Sequence, residues 1–394
     1  MDLSKKFNFK YSLTQALFFG SYCALMGYAS VYLLANGFSN SVIGTVLALT
    51  SIIGVFTQPA IATYADKHPD VSLRKLILLF MIGAVILSAI IFFLHGKSAI
   101  LLVVFVSIVT FMGTIMPLVN SLPYKLEEVG IKINFGLARG MGSITYAIVS
   151  IVVGYLVEAF GSSLLPIIYF IFNVLLTLVV YTFIIPQPDK TIKKEEVKKE
   201  DGQSISIFQF VVRYKKFMIF ILGTLLIYFT HTLINNFFIQ VLRPIGGTES
   251  QMGTAIFIAA AVELPAMAVF DKLREKIGCT NLIKIAVIIW SVKHIITWLA
   301  PNIIVIYLAQ ILQMASFAIV TPAGVAYVNA TINGNDVVKG QSMLTMGMSA
   351  SGIIANFAGG ILLDAIGVSS VLFIGAIVSI IGTIVTIFAL DPVK

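Results

Sequence analysis

Charged side chains are scarce in this chain, and those that interrupt its long apolar runs have the most chemistry to offer. Glu263, His231, and Lys293 beside His294 each fall inside such a run. An ionisable group in lipid-facing surroundings is costly and normally faces a cavity or a partner. Opposite charges on two successive runs point to a Glu263–Lys293 ion pair, since an isolated buried charge would be neutralised instead. That pair either orients two helices or belongs to a solute or proton site, with His231 as a third titratable member of a proton-coupling set. Amides are the other polar resource: Asn120, Asn235, Asn236, Gln240, Gln310, Gln313, Asn329 and Asn356 all lie in apolar runs. An amide both donates and accepts, so this set can line a cavity for a neutral solute or join helices to one another. A third group sits between runs, with Asp66 and Lys67 closing one and Arg74 and Lys75 opening the next.

The elements that position these residues follow from composition. Of the 394 residues, 58% are hydrophobic and 11% charged, whereas a soluble domain carries about 25% charged residues. Crossing the hydrocarbon core takes roughly 20 apolar residues in a helix, and backbone groups in lipid must pair internally. Twelve runs meet that demand: 11–36, 41–65, 75–95, 98–125, 137–160, 164–185, 217–241, 251–271, 281–299, 303–329, 341–366 and 369–390. They are continuously apolar, where the strands of a membrane barrel would alternate. The fold class expected is an all-α membrane protein, with the first run retained as a span.

The net charge of +8 is a matter of topology. If the N-terminus is cytoplasmic, all of the 26 Lys and Arg except Lys97, Arg243 and Lys293 fall on the cytoplasmic side, as the positive-inside rule requires. Nucleic acid is therefore not an expected partner. Cys23 and Cys279 sit on different levels and imply no disulfide framework. The expected location is a cell inner (cytoplasmic) membrane, with both termini cytoplasmic.

One polar stretch divides the chain. Residues 186–216 include DKTIKKEEVKKEDGQS and separate apolar blocks 11–184 and 217–390, each 174 residues long. The division expected is a six-helix bundle over 1–185, a cytoplasmic linker over 186–216 that anionic headgroups can attract, and a six-helix bundle over 217–394. An internal repeat supports two related halves: GYLVEAFG at 154–161 returns as GILLDAIG at 360–367, and QPAIATYADK at 58–67 as ELPAMAVFDK at 263–272, at offsets of 206 and 205. Both matches preserve orientation, as in a parallel repeat about the membrane normal. Small residues at four-residue spacing, Ser143/Ala147, Ser150/Gly154 and Ser351/Ala355/Gly359, allow close helix approach and are expected at a sliding contact between the halves.

The loop around Asp66 resembles the gating loop of the major facilitator superfamily, with Ala62 in place of the family's glycine. The resemblance implies a latch in which Asp66, Arg74 and Lys75 pair in one conformation only. The run Phe135-Gly-Leu-Ala-Arg139-Gly-Met-Gly-Ser-Ile-Thr-Tyr146 resembles, more narrowly, the lactose permease group of oligosaccharide–proton symporters. There the Arg bonds sugar hydroxyls and the aromatic ring stacks on the pyranose, roles that pass to Arg139 and Tyr146. A guanidinium fork suits paired hydroxyls, and a ring face suits the C–H side of a sugar; at its level Arg139 can also simply snorkel. Val262-Glu263-Leu264, Ser291-Val292-Lys293 and Leu312-Gln313-Met314 extend the likeness over most of the chain. The family's sugar-binding acid in the fourth helix becomes Asn120. Its coupling His and Glu in the tenth become Gln313 and Ser316, and its seventh-helix carboxylates correspond to Tyr228 and His231. The charged cluster shrinks to Glu263 and Lys293.

The resemblance thus implies two pseudo-symmetric six-helix bundles and alternating access by a solute, most readily a sugar, with proton symport through Glu263. Solute contacts would come from Arg139, Tyr146, Asn120, Asn236, Glu263, Lys293 and Gln313. No nucleotide loop, metal-ligand spacing or nucleophile motif is visible, so neither a cofactor nor enzymatic activity is expected. The partners implied are a small solute, a proton and the bilayer, for a monomer. The nearest alternative is a polyspecific drug/proton antiporter, and the alternative of another class is a membrane sensor that binds solute without moving it.

Overall fold

The computed structural model describes residues 3–68, 71–185 and 206–393, and these are almost wholly helical. The expected core of the linker, 186–205, lies outside the described residues. The helices are α1 Leu3–Tyr22, α2 Ala29–Ala35, α3 Asn40–Lys67, α4 Leu73–Phe92, α5 Ala99–Glu127, α6 Phe135–Phe160, α7 Leu165–Tyr181 and α8 Ile207–Arg213. They continue with α9 Lys215–Asn236, α10 Phe238–Leu242, α11 Glu249–Ala268, α12 Phe270–Ile277, α13 Cys279–Leu299, α14 Ile303–Ile311, α15 Phe317–Thr331 and α16 Val337–Ala389.

Ten helices among the described residues are long and apolar enough to cross a bilayer, and the bent pair Leu3–Gly27 plus Ala29–Ala35 makes an eleventh crossing. The twelfth comes from α16, whose 53 residues include a break at Gly367. At about 1.5 Å per residue it is roughly 80 Å long, more than twice the hydrocarbon thickness of about 30 Å. Gly367 has φ 77°, and Gly161, its counterpart in the repeat, has φ 86°. A side chain would be strained at either position, so both repeats end their octapeptide on the same left-handed turn. Polar caps start several of the crossings. Ser72 accepts from Lys75 N, Asn134 from Leu137 N, and Thr248 and Gln251 form a reciprocal capping box.

Contacts divide the chain into two compact units, one of residues 1–38 and 49–197, the other of 39–48 and 198–394. The start of α3 therefore groups with the second unit. In the first unit, α1 packs on α6 and α7 through small residues. A Cβ on Gly142 would lie 2.5 Å from the Phe19 ring, and one on Gly20 2.5 Å from Phe172. Buried Asn173 of α7 accepts from Ser21 of α1 (2.7 Å) and donates to Ser88 of α4 (3.2 Å). In the second unit, α9 and α16 approach so closely that a Cβ on Gly382 would meet the Gly223 carbonyl at 2.7 Å.

Three of the small residues at four-residue spacing make close contacts inside their own unit. Ser351 donates to the Leu225 carbonyl of α9 (2.8 Å), and a Cβ on Gly359 would press on Leu233 at 3.1 Å. Ser150 receives, on its carbonyl, the hydroxyl of Tyr28 (2.5 Å).

Candidate functional site

The polar centre of the second unit is built where its tenth crossing leaves the α-helical path. Helix α14 ends at Ile311, a tighter 3-10 turn runs over Leu312–Ala315, and α15 begins at Phe317. Short 3-10 segments inside a longer helix often mark functional hinges. This one turns Gln313 towards α11 and α13. Its Nε2 donates to Glu263 Oε1 at 2.9 Å, and its Oε1 accepts from Lys293 Nζ. Lys293 is 2% exposed and Gln313 4%, while Glu263 is half-buried. The expected direct Glu263–Lys293 ion pair is thus replaced by a carboxylate–amide–ammonium chain. One amide can serve both charges because it offers a donor to the anion and an acceptor to the cation.

A second polar group surrounds the ring of His231 on α9. Trp290 Nε1 donates to His231 Nδ1 (3.3 Å), and Asn235 meets His231 Nε2 (2.9 Å). Indole N–H is only a donor, so His231 Nδ1 accepts in the Trp290 contact. His231 also stacks on Phe317 at a centroid distance of 5.1 Å. It is not among the contacts of Glu263, Gln313 or Lys293 given by hydrogen bonding. Beyond it, His294 Nδ1 contacts Ser379 Oγ at 2.8 Å, and Ser291 joins Ser379 and Thr383. Two buried nitrogens, His294 Nε2 and Gln310 Nε2, have no hydrogen-bond partner among the described residues. Asn236 donates to Asn356 Oδ1 at 2.6 Å, so these two amides join α9 to α16.

In the first unit, Arg139 and Tyr146 lie seven residues apart on α6, about two turns, and so share a face. Arg139 Nη1 donates to Ser143 Oγ (3.1 Å), and its guanidinium lies 4.0 Å over the ring of Phe19, a cation–π contact that fixes the fork from one side. Tyr146 stands against a widened π turn, Cys23–Gly27, where a Cβ on Gly27 would lie 3.1 Å from Tyr146 Oη. Asn120 of α5 accepts from Gln15 Nε2 at 3.2 Å, and Gln15 also contacts Tyr11 Oη at 2.7 Å.

The expected latch residues are placed apart in role. Asp66 is exposed at the end of α3, and no described residue forms an ion pair with it. Arg74 lies 5.4 Å from the Tyr181 ring, and its Nε is buried without a partner among the described residues. The backbone N–H of Lys75 donates to Ser72 at the start of α4.

A residue outside all these groups accepts four hydrogen bonds. Asp364 of α16 accepts from Asn40 N (3.1 Å) and Nδ2 (2.8 Å) through Oδ1, and from Ser41 N (2.7 Å) and Oγ (2.6 Å) through Oδ2. Gln240 adds a bond to Asn40 Oδ1 at 3.0 Å. A Cβ on Gly44 would overlap the Asn356 carbonyl, and one on Gly360 would overlap that of Asn40. The sequence held the signal, since a carboxylate recurs at this place in both octapeptides as Glu158 and Asp364.

Comparison with known proteins agrees with this architecture. The model of the MFS_1 like family matches residues 9–374. Maltose permease of Geobacillus stearothermophilus is 24% identical over 378 residues, covering 94% of this chain and 91% of that protein. The uncharacterized transporter YwbF of Bacillus subtilis (strain 168) is 24% identical over 362 residues, 90% of this chain and 86% of its own. Among solved structures, the nucleoside transporter NupG superposes with a TM-score of 0.81 at 18% identity, covering 99% of this chain and 100% of that one. A bacterial homologue of ferroportin in its inward-facing state gives 0.69 at 15% identity, covering 99% of each. The chain belongs to the major facilitator superfamily, in its MFS_1 like family, and is a multi-pass membrane protein that carries a small solute by secondary transport rather than by enzymatic chemistry.

Proposed function

We propose that the solute is a sugar or short oligosaccharide and that its movement is coupled to a proton carried by Glu263. The observation that carries this reading is the chain Glu263–Gln313–Lys293. An uncharged amide between two opposite charges gives each charge a partner that a hydroxyl can replace. A solute hydroxyl that takes over the acceptor or donor role of Gln313 changes the surroundings of Glu263, and with them its readiness to hold a proton. Arg139 and Tyr146 are the solute contacts of the first unit, the fork pre-set by Phe19 and Ser143. The likeness to a maltose permease over 94% of this chain supports a sugar as the cargo. In this reading both termini are cytoplasmic, Asp66 belongs to a gate, and the protein works as a monomer.

The test is uptake by purified protein in sealed proteoliposomes. Labelled maltose, a monosaccharide panel and nucleosides are offered with and without an inward proton gradient. Accumulation of a sugar above its external concentration only when the gradient is imposed is the expected result. Gradient-driven accumulation of nucleosides with no sugar flux would overturn the cargo, and gradient-independent equilibration would overturn the coupling.

A further inference from the structure

The turn before the seventh crossing has properties that solute transport does not use. Helix α8 opens with a reciprocal capping box, Gln209 N to Ser206 Oγ at 3.3 Å and Ser206 N to Gln209 Oε1 at 3.0 Å, so it is a formed element. Of its apolar residues only Phe210 turns inward, fully buried against Tyr214 (centroids 4.7 Å) and Phe217 (6.3 Å). Ile207 and Phe208 are 62% and 78% exposed.

Immediately after α8 comes Arg213-Tyr-Lys-Lys216, which with Tyr327 and Asp391 lines a cleft of about 310 Å³ within the second unit. Lys216 is committed to Asp391 at 2.7 Å. Arg213 and Lys215 form no ion pair with a described residue. Tyr214 supplies a further donor, since its buried hydroxyl has no hydrogen-bond partner among the described residues. Helix α9 begins at Lys215, so the cleft stands at the end of a crossing, the level at which lipid headgroups lie.

We infer that this cleft binds the phosphate of an anionic phospholipid. Arg213 and Lys215 neutralise the phosphodiester, the planar guanidinium offering paired N–H donors, and the Tyr214 hydroxyl donates to a phosphate oxygen. Ile207 and Phe208 lie among the acyl chains beside the bound headgroup. The two halves of the contact need each other: the cations alone would suit any phosphate, and the apolar pair ties the site to a lipid. The inference is independent of which solute is carried.

The test uses the full-length protein in mild detergent, titrated with phosphatidylglycerol and with phosphatidylcholine of the same acyl chains and read by native mass spectrometry. The wild type is expected to prefer phosphatidylglycerol. Each removed charge should cost about five-fold in affinity, so R213Q/K215Q should lose about 25-fold and its headgroup preference, whereas K276Q, an exposed charge on α12, should change binding less than two-fold. Phe208→Gln should weaken phosphatidylglycerol binding while leaving inorganic phosphate without effect as a competitor. An unchanged preference in R213Q/K215Q would overturn the site. Displacement of the lipid by millimolar inorganic phosphate, with no effect of Phe208→Gln, would overturn the lipid as its ligand.

Discussion

Replacing Gln313 by methionine keeps a side chain of similar length but removes both polar atoms that join Glu263 to Lys293. Hydrogen bonds to charged groups contribute about 1.5–3 kcal/mol each, so losing the two given by Gln313 removes about 3–6 kcal/mol if nothing replaces them. Little can replace them at Lys293, which is 2% exposed, and an unpaired buried charge is among the most costly defects a protein can carry. Gln313→Ala should be milder although it removes more atoms. The vacated space lets the Lys293 ammonium and the Glu263 carboxylate close on each other as a direct pair, or lets water reach both. The expected order of thermal unfolding midpoints in detergent is wild type above Ala, and Ala above Met. Solute affinity should follow the same order, falling at least ten-fold in the Met variant, since about 1.4 kcal/mol is a factor of ten. A Met variant as stable as wild type, or more stable than Ala, would refute the bridging role of the amide.

Other perturbations reach the remaining groups. Arg139→Ala should abolish or weaken solute binding by ten-fold or more while the protein still inserts, and Lys should not restore it because it lacks the planar fork; equilibrium binding to purified protein checks this. If Asp66 belongs to the proposed gate, Asp66→Asn should slow net transport with little change in binding constant; exchange rates and affinity measured separately decide it. Asp364→Ala should speed amide hydrogen exchange in peptides covering Asn40 and Ser41, whose backbone N–H groups the carboxylate holds; exchange like that of wild type would show that these bonds are not populated in solution.

The crossings were legible because lipid leaves few alternatives: a run of some 20 apolar residues must be a helix. The repeat was legible to the level of backbone, since Gly161 and Gly367 share a left-handed conformation. Where the reading fell short, the cause lay in tertiary contacts. Helix α1 starts at Leu3, not near residue 11, because Asn8 donates to the Lys132 carbonyl at 2.9 Å and accepts from Asn134 N at 2.8 Å, which holds the polar stretch in helix. Glu263 and Lys293 were recognisable as buried charges on neighbouring helices. Gln313 standing between them depends on a 3-10 turn over Leu312–Ala315 that no glycine or proline announces. The π turn at Cys23–Gly27 is equally silent until Tyr146 is seen against Gly27. Asp364 read as a charge near the end of a crossing, since only the folded chain brings the start of α3 to it. Residues 207–213, read as part of a linker, became helix α8 through a local capping box.

The central claim is that Glu263 carries the coupled proton, and Glu263→Gln tests it most directly because glutamine keeps the shape and can still contact Gln313 but cannot take up a proton. Solute and proton fluxes are measured together in proteoliposomes holding wild type or variant, first with an imposed solute gradient and then with equal solute on both sides. The wild type should take up protons with solute. The variant should exchange labelled solute between equal pools yet show no solute-driven proton uptake. Proton uptake in Glu263→Gln at the wild-type ratio to solute would contradict the account.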